Sequence, residues 1–135
     1  MIDLRQKILH PKGERSRVLY SFDDHSEAMH FGVYTENLEL VACGSLLPES
    51  EDLIFSSSVS RIRGMAVDED FQKQGLGQLV LEELLKNALK NKRSKVWCNA
   101  RTSILDFYLR RGFFKQGEEF ILPGNIPHYK LIKNL

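Results

Sequence analysis

Cysteine is scarce in this chain: its 135 residues hold two, Cys43 and Cys98, far apart and without the neighbouring ligands of a zinc site. No metal is expected, and both thiols read as reduced core residues rather than as a disulfide. Long apolar runs are missing too. Nothing approaches the roughly 20 apolar residues of a membrane-spanning helix. The opening Met1-Ile-Asp-Leu-Arg-Gln-Lys7 has neither the apolar stretch nor the cleavage site of a signal peptide. A cytoplasmic location, with no membrane partner, is the default expectation. Charge of one sign is not in excess either, since 19 Lys and Arg face 18 Asp and Glu for a net of +1. That balance supplies no global attraction for nucleic acid. With no repeat, linker or low-complexity segment, residues 1–135 read as one domain around one core.

Periodicity then divides the chain. Ile2 to Leu9 puts Ile2, Leu4, Ile8 and Leu9 roughly on one helical face before Pro11-Lys-Gly13 stops it. Arg17 to Phe22 reads as a first strand, and Met29–Tyr34 with Leu38–Leu47 as a hairpin around Thr35-Glu-Asn37. Ile62 to Val67 is a further strand, ended by Asp68-Glu-Asp70. The strongest helix runs from Gly75 to Leu89. There Leu76, Val80, Leu84 and Ala88 recur every four residues, and Leu81, Leu85 and Leu89 widen the stripe. Glu82 and Lys86 are spaced for an i,i+4 pair. Lys95–Asn99 reads as a strand. Thr102–Arg111 reads as a helix capped by Thr102 or Ser103 and stopped by Gly112. Phe113–Leu122 and His128–Ile132 complete the chain as strands around Pro123-Gly-Asn125. The class is a mixed α/β (α+β) domain, its sheet partly antiparallel with at least one βαβ crossover.

The most informative stretch is Val67-Asp-Glu-Asp-Phe-Gln-Lys-Gln-Gly-Leu-Gly-Gln78. A strand ends, a polar loop follows, and Gly75 and Gly77 open the long helix. Unpaired backbone N–H groups at a helix start form an anion site, and glycine lets a phosphate approach them. Lys73 adds a positive charge at the same mouth. A dinucleotide fingerprint would need glycine where Val80 stands, and a Walker loop would need Gly-Lys-Ser/Thr where Gly77-Gln78-Leu79 stands. A plain turn in which glycine merely starts a helix is the bland alternative.

Gln72-x-x-Gly75-x-Gly77 resembles the acetyl-CoA pyrophosphate loop of the GNAT superfamily of N-acetyltransferases. Arg61-Ile-Arg-Gly-Met-Ala-Val67 is similar to that family's fourth strand. Asn99-Ala-Arg-Thr-Ser-Ile-Leu-Asp-Phe-Tyr-Leu-Arg-Arg-Gly-Phe113 is similar to the strand-to-helix segment that follows it. The likeness covers roughly half the chain in order and separation. It implies a mostly antiparallel sheet in which the parallel fourth and fifth strands splay apart around the pantetheine arm of acetyl-CoA.

By resemblance, backbone groups of Met65, Ala66 and Val67 would hold that arm. Gln72, Lys73, Gln74, Gly75, Leu76, Gly77 and Gln78 would hold the pyrophosphate, with Asn99 and Arg101 as further cofactor contacts. Gly64 suits a bulge, and a backbone N–H beside it, that of Met65, could steady a thioester oxyanion. Tyr108 stands at the family's Tyr-x-x-x-Gly-Phe spacing and would protonate the departing thiolate. The resemblance implies acetyl transfer to a primary amine by direct attack. The acceptor, a small molecule or a protein lysine, is open, as is a homodimer. A catalytically silent acyl-CoA-binding module is the alternative. No general base is evident; Glu118, Glu119 and His128 are candidates. Cys98 as a covalent acyl carrier is a lesser variant. Arg61 and Arg63, on one side of their strand, would favour an acceptor bearing carboxylate or phosphate if that side faces the acceptor. The eight basic residues between Lys86 and Arg111 have Asp106 as their only acid and read first as a solvated face.

Overall fold

In the computed structural model, which describes residues Met1–Leu135, seven strands form one mixed sheet. The strands are β1 (Met29–Tyr34), β2 (Leu40–Leu47), β3 (Val59–Val67), β4 (Lys95–Arg101), β5 (Phe114–Lys115), β6 (Phe120–Leu122) and β7 (Ile126–Asn134). Their spatial order is β1-β2-β3-β4-β7-β5, with β6 also along β7. Every pairing is antiparallel except β3 with β4. That pair is joined by helix α2 (Leu76–Lys90), so the expected βαβ crossover is present.

Alternation along β2 decides which helix lies on which face. Ala42 and Leu46 share a core with Val80, Leu81, Leu84 and Ala88 of α2. Cys43 points the other way, into a small cluster with Leu4 of helix α1 (Ile2–Leu9) and Ala66. The stripe on α2 is narrower than its sequence pattern suggests, for Leu89 is 60% exposed. Lys86 binds Glu83 at 3.2 Å rather than Glu82, which takes the amide of Gln78. Helix α2 lies so close to β2 at Gly44 that a Cβ there would meet Val80 Cγ1 at 2.7 Å.

Three expectations change. Arg17–Phe22 is not a strand. Arg15–Val18 forms a single 3₁₀ turn, and the chain then wraps a buried guanidinium. Arg5 of α1 is 2% exposed and donates to Val18 O at 2.9 Å, to both Asp23 oxygens at 2.8 and 3.0 Å, and to Ser45 Oγ at 2.7 Å. Asp23 also accepts the Tyr20 amide. Val18 O and the Tyr20 amide are thus taken by one ion pair, while Leu19 N and Tyr20 O bond within local turns, to Ser16 O and from Asp23 N. The expected helix Thr102–Arg111 is a 3₁₀ turn (Thr102–Ile104) followed by α3 (Leu105–Leu109). Neither Thr102 nor Ser103 caps it, the Thr102 hydroxyl being bound to Glu119 at 2.8 Å. The expected strand Phe113–Leu122 breaks into β5 and β6 at Gly117, whose φ of 87° is left-handed.

The Arg5–Asp23 pair has a directional consequence for stability. Burial works to raise the Asp23 pKa, but hydrogen bonds from Arg5 and the Tyr20 amide outweigh it and hold the carboxyl below its ordinary range. A depressed folded pKa contributes stability above the unfolded value of about 4, lost as pH falls through the folded one. Asp23→Ala would strand the Arg5 charge inside the fold. We expect a loss of about 3 to 5 kcal/mol in urea denaturation at pH 7, shrinking as the wild type is titrated below pH ~4. An unchanged midpoint at pH 7 would show that the pair is dispensable.

Candidate active site

Strands β3 and β4 are in register only from Val59↔Lys95 to Arg61↔Trp97. Past that point they part. On its other side β3 carries two residues, Gly64 and Met65, opposite the single Gly44 of β2, between the pairs Cys43↔Ala66 and Ser45↔Arg63. Gly64 has φ +67°, and a Cβ there would meet Arg5 Nε at 2.6 Å. A left-handed backbone against a buried guanidinium admits only glycine, so the expected bulge is fixed from behind by α1.

Two cavities open along the parted strands. One, of about 480 Å³, is bounded by Met65, Ala66 and Val67 of β3, by Gln72, Lys73 and Gly75 of the loop, and by Leu76, Gly77 and Gln78 of α2. Arg101, Phe107, Tyr108 and Arg111 close its far side. The other, of about 360 Å³, lies between Arg61 and Arg63 of β3, Asn99 of β4, His128 of β7 and the end of α1. The two share Leu9, Met65, Arg101, Ile104 and Tyr108.

Eleven of the thirteen residues singled out from the sequence thus line the larger cavity. Gln74 lies in the loop with its side chain exposed. Asn99 faces the smaller cavity instead, and its buried Oδ1 has no hydrogen-bond partner. Arg101 lines both and donates to Leu9 O, tying β4 to the end of α1.

The loop has the form of an anion cradle. Backbone N–H groups from Gln72 to Gln78 find no acceptor in the protein; the first amide bonded again is Leu79, to Gly75 O at 3.0 Å. Lys73 and Gly75 both adopt positive φ, 63° and 80°, which turns successive amides toward one concavity. At Gly77 a Cβ would meet only Phe107 and Val67, at 3.7 Å or more. Packing alone does not demand glycine there. These features fit a pyrophosphate group at the start of α2.

Tyr108, on α3, is 4% exposed and packs edge-on against Phe107 and Phe113. Burial, and then the nearby Cys98, push its phenol well above the ordinary range, so it is a proton donor at neutral pH. Gly112, at φ 87°, ends the helix behind it, where the Phe113 amide returns to Tyr108 O. Cys98 lines the smaller cavity, yet burial pushes its thiol up to about 12, which leaves it protonated and unsuited to carry an acyl group.

Several wall residues were not singled out from the sequence, three of them at the end of α1. Ile8, Leu9 and His10 are held at the cavities by the Arg5 anchor, the Lys7–Asp68 ion pair at 2.9 Å, the bond from Arg101 to Leu9 O and apolar packing on Cys43 and Ala66. No local signal could have placed them. His128 can be placed from its cross-strand position opposite Arg101. It is 8% exposed, and its Nδ1 lies 2.8 Å from Ile126 O. A carbonyl only accepts, so Nδ1 carries the proton and Nε2 keeps a free lone pair. Glu118 and Glu119 are exposed and line neither cavity. The basic run from Lys86 to Arg111 is largely tied in: Arg93 is buried on Glu27 and Ser56 O, Lys95 binds Glu51, and Arg111 holds Phe107 O and Gln78.

Comparison with known proteins agrees with this geometry. Residues 8–133 match the acetyltransferase (GNAT) domain family. The chain is 31% identical over 134 residues to the uncharacterized N-acetyltransferase YitI of Bacillus subtilis (strain 168), covering 98% of this chain and 89% of that one. Its fold is similar to that of an acyl-CoA N-acyltransferase from Pseudomonas aeruginosa, at 20% identity with a TM-score of 0.78, over 98% of this chain and 86% of the other. It is likewise similar to an aminoglycoside 6'-N-acetyltransferase solved with coenzyme A, at 12% identity with a TM-score of 0.77, over 98% and 87% of the two chains. The chain belongs to the GNAT family, the acetyl-CoA-dependent N-acetyltransferases.

Proposed function

We propose that residues 1–135 act as a single N-acetyltransferase domain that moves an acetyl group from acetyl-CoA to a primary amine held in the smaller cavity. The observation that carries this reading is the meeting of the two cavities at Met65 and Tyr108. Bound acetyl-CoA supplies an activated acyl thioester. The N–H groups of Gln72 to Gln78 bind and orient its pyrophosphate, with Lys73 adding charge. The backbone of Met65 to Val67 guides the arm toward the junction, where the Met65 N–H is placed to steady negative charge on the acyl oxygen. Direct attack forms the C–N bond as the C–S bond breaks. His128 Nε2 takes the proton the amine loses, and the Tyr108 hydroxyl gives its own to the departing sulfur. A silent binding module would have no use for a buried proton donor at the junction, and that favours turnover.

Each role has its own readout. Tyr108→Phe is expected to lower kcat about 100-fold while leaving the acetyl-CoA Kd within about twofold; full activity would remove the acid assignment. Gly77→Leu should keep the melting temperature within a few degrees, because the site has room. It should weaken acetyl-CoA at least about tenfold in calorimetric titration, by filling the cradle. Binding that survives this change would mean the pyrophosphate lies elsewhere. For His128→Gln we expect a kcat deficit of about 100-fold at neutral pH that narrows as the medium is made alkaline and the amine arrives unprotonated. A deficit independent of pH would assign His128 to packing.

A further inference from the structure

The smaller cavity has a one-sided charge. Four arginines (Arg17, Arg61, Arg63 and Arg101) and two histidines (His10 and His128) line it, and no carboxylate does. Arg61 is neutralised by Glu49 at 3.3 Å, behind the wall, and stacks on Trp97 at 4.4 Å. Arg101 spends a donor on Leu9 O, a neutral carbonyl. Arg63 differs from both. It stacks on Tyr20 at 4.0 Å, and no protein acceptor takes its guanidinium donors. Burial, and then Arg61 beside it, disfavour its charge. Its ring platform fixes its plane, so its donors are presented to the cavity in the fork that suits a carboxylate or phosphate. His10 is affected in the same direction: burial first, then Arg101, Arg17 and His128, depress its pKa. The buried, unpartnered Asn99 Oδ1 lies in the same wall and can only accept a hydrogen bond, as from the N–H of an amine.

We propose that the acceptor is an anionic amine, whose carboxylate or phosphate is held by Arg63 and whose amino group donates to Asn99 Oδ1. This rests on the acyltransferase reading of the site. Polyamines, aminoglycosides and lysine-rich peptides enter against the field of the unpaired arginines and are disfavoured. The same field favours the neutral amine over the ammonium and so lightens the work of the base.

The test is calorimetric titration of the coenzyme A-loaded protein with phosphoserine, serinamide and spermidine as probes, beside a titration of the free protein with acetyl-CoA. Phosphoserine is expected to bind at least about tenfold more tightly than either other probe. Arg63→Gln should remove most of that preference and leave the acetyl-CoA Kd unchanged, since Arg63 lines only the smaller cavity. Arg63→Lys keeps the charge and should retain part of the preference, and circular dichroism of both variants checks that they fold. Equal binding of the three probes, a preference for spermidine, or phosphoserine binding indifferent to Arg63→Gln would overturn the proposal. Failure of acetyl-CoA to bind the wild type would instead overturn the acyltransferase reading beneath it.

Discussion

Parallel strands normally hold their pairing along their length, and here β3 and β4 give it up after three residues. The backbone groups freed by that parting, on Ile62 to Val67 and Cys98 to Arg101, would be costly if buried without partners. On its other edge β4 pairs with β7 along its whole length, from Lys95↔Asn134 to Arg101↔His128, so only its β3-facing edge is left open. β3 likewise pairs with β2 on its other edge, and the groups freed by the parting face the cavities. The bulge at Gly64, the cradle at the start of α2 and the tyrosine on α3 all lie around that opening. Without it they would be separate features of an ordinary sheet.

A buried charge network joins the apolar packing of α1 in holding the opening from behind. The Arg5 guanidinium sits against Gly64 and binds Asp23 and Ser45. The Ser45 hydroxyl, already accepting from Arg5, can donate to His30 Nδ1 at 2.6 Å, whose Nε2–H then reaches Asp23 O at 2.8 Å. Each member's donor meets an acceptor except Arg5 Nε, which is buried without one. A network of this kind is rigid in a way an apolar cluster is not, because any shift breaks a directional bond. It suits a bulge whose backbone must keep one aim.

How much of this could be read beforehand follows from the range of each interaction. The loop from Gln72 to Gln78, the helix after it and the Tyr108–Gly112 spacing are local patterns, and the loop residues, Gln74 apart, line one cavity with Tyr108. Gly64 as a bulge was legible for the same reason. What failed depended on distant partners. Arg17–Phe22 has strand-like composition, but its polar groups answer to Arg5 and Asp23. Asn99 occupies a motif position, yet it lines the smaller cavity and not the larger one. Arg61 and Arg63 do share a side, as alternation requires. Their different fates depend on Glu49, which no local pattern brings near.

The topology carries a consequence for how the molecule comes into being. His10 and His128 face the same cavity from opposite ends of the sequence, and β7 is threaded between β4 and β5. While a ribosome is still extending the chain, the hairpin, β3 and α2 can already pack, yet β4 has no partner along its far edge until β7 emerges. The loop that opens α2 is therefore early and local, and the arginine-lined wall of the smaller cavity is late and long-range, closing only after loop-closure entropy over most of the chain has been overcome. An incomplete chain would carry the loop and α2 beside an exposed strand edge. The wall of the smaller cavity is the last part of the fold to close.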